Sequence, residues 1–173
     1  MIKGLLKVLI NFVLFVALQV LILDNIHLFK IVTPFLYIYV ILKMPINLSR
    51  TQIVTISFLL GLAIDMFSNT WGMHAAVCSF AGFIRNPLLK IFLDKDMVED
   101  ASPSYRTLGT GAFMRYAISL VVIHHVFLFL IESFSFFDPL FLLLRIVLSI
   151  ILTILCIFIV ETFSIEKRRS GNI

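Results

Sequence analysis

Charge is what this chain has least of. Lys, Arg, Asp and Glu together make up 14% of its 173 residues, hydrophobic side chains make up 61%, and the mean hydropathy is +1.08. No soluble domain of that length could bury so many apolar side chains, so a water-soluble globular protein is excluded. Glycine and proline are also scarce, 7 and 5 residues against 18 phenylalanines, so bulky side chains must fill lipid-facing and helix-packing surfaces. Cysteine is nearly absent. Cys78 and Cys156 both fall in apolar runs, where no spacing supports a disulfide framework or a metal site, and they read as packing residues. Catalytic signatures are missing as well: there is no glycine-rich phosphate loop, no HExxH, no GxSxG and no pair of intramembrane aspartates. With no catalytic, cofactor or metal constellation, an enzyme is the weakest class, and nothing resembles a nucleic-acid patch.

What is present is a series of long apolar runs. They predict an all-α integral membrane protein, a six-helix bundle with spans at about 5–23, 28–42, 52–67, 71–84, 108–131 and 140–160 and a loop over about 85–107. One domain is expected across 1–173. Lys3 and Lys7 precede a first run too long for a secretory signal and without small-x-small cleavage residues, so it reads as a retained span. The second and fourth runs are short, which fits tilting, bilayer thinning or a re-entrant loop. Lys30 and Pro34 interrupt the second, making Pro34 a boundary or a kink. Lys3, Lys7, Lys43, Arg50, Arg85, Lys90, Lys95, Arg106, Lys167, Arg168 and Arg169 fall on one side of this arrangement and only Lys30 on the other. Basic residues are retained on the cytoplasmic side, so both termini are expected there. The net charge of +4 then suits anionic lipid headgroups. In the loop, Asp94, Asp96, Glu99 and Asp100 mix with the basic residues, as in a solvated connector or a docking surface, and 88–92 could lie in the interface as a short amphipathic stretch.

Polar residues collect toward the opposite side, and these are the candidate functional residues. Asp65 ends the third run, His74 opens the fourth, and Glu132 and Asp138 flank the last turn. His124 and His125 lie roughly 10 Å inward from Glu132 along one helix, and Arg145 a similar distance inward from Asp138 along the next. Asp65, His124, His125, Glu132 and Arg145 are thus a candidate polar network, with Glu132 or Asp65 as the counter-charge of Arg145; snorkelling of Arg145 to the headgroups is the alternative. Adjacent helical residues point about 100° apart, which argues against His124 and His125 sharing a metal. Arg115 and Glu161 suggest an ion pair at the basic end, with snorkelling again competing. Gly72 with Ala76, Ala75 with Ser79 and Cys78 with Gly82 permit close helix approach, within the bundle or in a dimer.

The stretch Gly61-Leu62-Ala63-Ile64-Asp65, followed by Gly72-Met73-His74-Ala75, resembles the rod shape-determining protein MreD family, in which a span ending in Gly-Leu-x-x-Asp precedes Gly-x-His-Ala. Thr33-Pro34-Phe35-Leu36 is similar to that family's proline near the second span, with Phe35 where an acidic or amide residue is common. The resemblance implies a non-catalytic scaffold of the bacterial inner membrane that helps organise lateral peptidoglycan synthesis, with Gly61, Asp65, Gly72, His74 and Pro34 as structural residues. Implied partners are an MreC-like bitopic protein, an MreB-like actin filament, and the penicillin-binding transpeptidase and glycan polymerase of the elongation complex. It also implies a bundle similar to the substrate-binding subunits of energy-coupling-factor transporters, an analogy of fold alone. The alternative is a small-solute, vitamin-like transporter or its binding subunit. An Ala-x-x-x-Ala face for the partner of that transporter type is not present in the sequence.

Overall fold

The computed structural model describes residues 2–23, 32–92, 101–133 and 138–170. Its elements are α1 (Ile2–Leu21), α2 (Ile38–Leu42), α3 (Arg50–Ser68), α4 (Met73–Phe92), α5 (Tyr105–Leu108), α6 (Thr110–Glu132) and α7 (Pro139–Ser170). Local chemistry sets their ends. Ser49 accepts from the Gln52 N–H while Gln52 Oε1 accepts from the Ser49 N–H, a reciprocal capping box that starts α3. Asp138 accepts from the Leu140 and Phe141 N–H groups and Pro139 takes the first helical position of α7, where its missing N–H does no harm.

Among the described residues, four helices are long and apolar enough to cross a membrane: α3, α4, α6, and α7 over Pro139–Phe163. The chain is an all-helical, multi-pass membrane protein. Its outward surface is what lipid requires, with Leu9, Val13, Phe58, Leu143, Ile151 and Phe163 all exposed. In α1 the apolar part, Leu6–Leu21, is shorter than the four spans.

The expected second span, 28–42, differs most. Its residues 24–31 lie outside the described ones, 32–37 are not helical, and α2 has only five residues. Yet this segment is the centre of the molecule: α2 packs on α1, α4 and α6, and Tyr37 to Leu42 are all buried. Irregular backbone is tolerated at membrane depth only where protein surrounds it and supplies its hydrogen bonds. The segment runs alongside α7 in the same direction, since the Phe35 N–H meets Thr153 and Tyr39 meets Glu161 two turns further on.

The fourth helix also departs from expectation. Instead of ending near 84 it continues through Pro87 to Phe92, and Arg85, placed in a loop by sequence, is fully buried. Its guanidinium is satisfied by the carbonyls of Ile41 and Met44, where α2 ends, and by Asn86 Oδ1. The loop therefore starts later than expected, and residues 93–100, with Asp94, Lys95, Asp96, Glu99 and Asp100, lie outside the described ones.

Candidate functional site

Asp65 sits in the last turn of α3 and anchors the start of α4. Oδ1 accepts from the His74 N–H (3.0 Å) and the Thr70 hydroxyl (2.6 Å), and Oδ2 from the Ala75 N–H (2.8 Å). The first N–H groups of a helix have no intrahelical partner, so a carboxylate on them is both a cap and a complement to the helix dipole. The His74 Nδ1 lies 3.0 Å from the same Oδ1 and 2.9 Å from Thr70, which fixes the imidazole in the clasp. The chain reverses through Asn69, left-handed at φ 55°, and Gly72 at φ 78°. Gly61 lets the two helices meet: a Cβ there would overlap the His74 carbonyl and the Ala75 Cα. Further from the turn, Gly82 of α4 packs against the Ser57 side chain of α3. The small residues Ala75, Cys78 and Gly82 are buried on α4, which assigns them to packing inside the bundle.

His124 and His125 are fully buried and point toward the central segment and α7. The Tyr37 hydroxyl is 3.0 Å from His124 Nε2. His125 Nδ1 is 2.9 Å from the Val121 carbonyl, so Nδ1 carries the proton and Nε2 accepts from the Thr153 hydroxyl at 3.1 Å. Thr153 in turn accepts from the Phe35 N–H at 3.0 Å. Phe35 is the hub: its ring centroid lies 5.3 Å from that of His125, 6.0 Å from His74 and 6.3 Å from His124. Pro34 lies in the irregular stretch rather than in a helix, and its carbonyl accepts from Gln19 Nε2 (3.0 Å), while Gln19 Oε1 accepts from the Leu36 N–H (2.9 Å).

The candidate polar network is therefore divided. Arg145 does not reach Asp65, whose partners are Thr70, His74 and Ala75. It pairs with Glu132 at 3.1 Å and lies over the Phe129 ring at 5.0 Å. The clasp already saturates Asp65, so the nearer carboxylate takes the cation. At the basic end, Glu161 binds Lys43 through both oxygens (3.0 Å each) and accepts from the Tyr39 hydroxyl (2.6 Å) and the Tyr105 N–H (3.3 Å). Arg115, the expected partner, lies over the Phe92 ring instead. The central segment brings Lys43 to Glu161, a long-range contact that helix periodicity does not encode. Burial, then the nearby Glu161 charge, raises the Tyr105 phenol above its ordinary pKa.

Sequence reasoning missed Gln19, Tyr37, Tyr39, Lys43, Ser149 and Thr153. One signal for them exists: Ser149, Thr153 and Glu161 share a single face of α7 at multiples of four residues, all buried. Among the described residues no group of three or more His, Cys, Asp or Glu is placed to hold a metal ion. The arrangement fastens backbone: the polar side chains bind N–H and C=O groups of the central segment and of the α3–α4 turn.

Fold and site together define the class, an all-helical multi-pass membrane protein whose interior polar groups bind one another. No family model, no curated protein and no solved structure matches the chain.

Proposed function

We propose that the protein is a membrane scaffold of the bacterial cell-elongation machinery, related to the MreD family, sitting in the inner membrane with both termini cytoplasmic and helping to organise lateral peptidoglycan synthesis. The observation that carries this reading is the use made of the motif residues. Gly61, Asp65, Gly72, His74 and Ala75 form one clasp that fixes two helices against each other, and Asp65 has its oxygens taken up by that task. A motif of this kind defines a shape that partners can recognise. Its carboxylate is spent on the Thr70 hydroxyl, the His74 imidazole and two helix N–H groups.

The carrier alternative receives less support. Its ligand would occupy the middle of the bundle, and residues 35–42 of the chain itself fill that place. The partners under this proposal are an MreC-like bitopic protein, an MreB-like filament and the penicillin-binding transpeptidase with its glycan polymerase. Affinity capture of the tagged chain from bacterial membranes is the test, combined with depletion. Co-purification of those proteins and loss of rod shape on depletion are expected. Normal shape on depletion, with a bound small solute in the purified protein, sinks the scaffold reading.

A further inference from the structure

Trp71 is the chain's single tryptophan and it is 98% exposed, at the tip of the α3–α4 turn. Met66 and Phe67, at the end of α3, are exposed beside it in sequence. A large aromatic side chain left out of all packing on a turn this firmly held requires an occupant for its surface. From Met66 to Ile84 there is no Asp, Glu, Lys or Arg, and Asp65 is buried in the clasp. The tip's polar groups are Ser68, Asn69 and Thr70, short and neutral. A tip bathed in water or docked on a soluble domain would carry charge at its rim; an uncharged mixture of indole, thioether, phenyl and small hydroxyl or amide groups matches the headgroup and glycerol layer of a bilayer.

Length gives an independent argument. The 19 residues of α3 rise about 28 Å, close to the roughly 30 Å of bilayer hydrocarbon. At its far end Arg50 is exposed, with its guanidinium 4.7 Å from the centre of the Phe83 ring. With Arg50 in one headgroup layer, the tip falls in the other. We infer that the α3–α4 tip is an interfacial anchor, with Trp71 seated in the lipid headgroup layer on the side opposite Lys43 and Arg85. The Asp65 clasp then has a second task, because it holds the turn in the geometry that projects the indole outward. This inference is independent of the scaffold proposal: it concerns lipid and stands whichever protein partners exist.

The single tryptophan is its own probe. The full chain is reconstituted in nanodiscs containing lipids brominated either near the glycerol backbone or deep in the acyl chain, and Trp71 emission is compared with aqueous iodide as quencher. The expected result is emission shifted to shorter wavelength than for indole in water, with stronger quenching by the shallow bromines than by the deep ones and little by iodide. Strong iodide quenching with no effect of either brominated lipid overturns the inference and leaves the tip in water, free for a protein. A second measurement uses Trp71→Ser, which removes no internal contact of the bundle. Its thermal stability is expected to match the parent in detergent and to fall below it in nanodiscs. No loss specific to the bilayer overturns the anchor.

Discussion

At Gly61 the absent side chain is the interaction, because the backbone of α4 occupies the space a Cβ would need. Gly61→Ala must separate α3 from α4 or distort one of them. Overpacking of this kind costs about 1 to 3 kcal/mol, and here the obstructing atoms are backbone, which cannot rotate away. Gly72→Ala is the useful contrast. Its φ of 78° disfavours a side chain, by about 1 kcal/mol, but nothing lies within 4 Å of the new methyl. Thermal unfolding in detergent should therefore rank Gly61→Ala below Gly72→Ala. Asp65→Ala removes the acceptor of two helix N–H groups and of the Thr70 hydroxyl in one step. Unfolding is expected to lose about 2 to 4 kcal/mol, more than a single neutral hydrogen bond provides. An Asp65→Asn variant that matches the parent would show that the charge contributes nothing to the clasp.

Among the elements, the central segment departs furthest from regular structure, and its stability comes from side chains on its neighbours. Gln19 on α1 holds Pro34 and Leu36, Thr153 on α7 holds Phe35, and Arg85 on α4 holds Ile41 and Met44. Thr153→Val keeps the shape of the side chain while orphaning the Phe35 N–H and His125 Nε2. A loss of about 1 to 3 kcal/mol is expected on thermal unfolding. Combined with Gln19→Leu the losses should not add, because both side chains fasten the same few residues, and a segment released by one variant has less to lose from the other. Strict additivity would contradict the view of the segment as one unit. This element also shows where sequence reading stops. The apolar runs of α3, α4, α6 and α7 are visible as hydropathy, since lipid solvates their outer faces and rewards length and composition. The Asp138-Pro139 start of α7 and the tight turn after Asp65 are equally local and equally visible. In 28–42 the composition is as apolar as in a helix, and for the described residues 32–42 it is burial among α1, α4, α6 and α7, a property of the whole arrangement, that allows the irregular path. The same reason separates Arg145 from Asp65 and gives Glu161 to Lys43: partner choice among polar groups at one end of a bundle follows helix order and rotation, which local spacing does not determine.

For the whole molecule, the Lys43–Glu161 pair is the joint at the basic end. Through it the central segment, α7 and the start of α5 meet at one carboxylate, which is 1% exposed. A buried ion pair is weak evidence of net stabilisation, because the desolvation of both charges offsets their attraction. Removing one partner is a different matter. Glu161→Gln leaves the Lys43 ammonium buried at a site built for an anion, and Lys43→Met leaves the carboxylate with only Tyr39 and the Tyr105 N–H. Each single variant is expected to lose about 3 to 5 kcal/mol of stability, and the double variant Lys43→Met with Glu161→Gln to recover much of it, since both charges of the pair are then gone. Thermal unfolding of the four proteins in one detergent closes the double-mutant cycle, and the coupling should be large and favourable. If the joint only stabilises, the double variant will also restore whatever partner capture the singles lose. If the scaffold requires this end of the bundle in its native charge state, stability will return without capture, and the carboxylate will have been separated from its structural role.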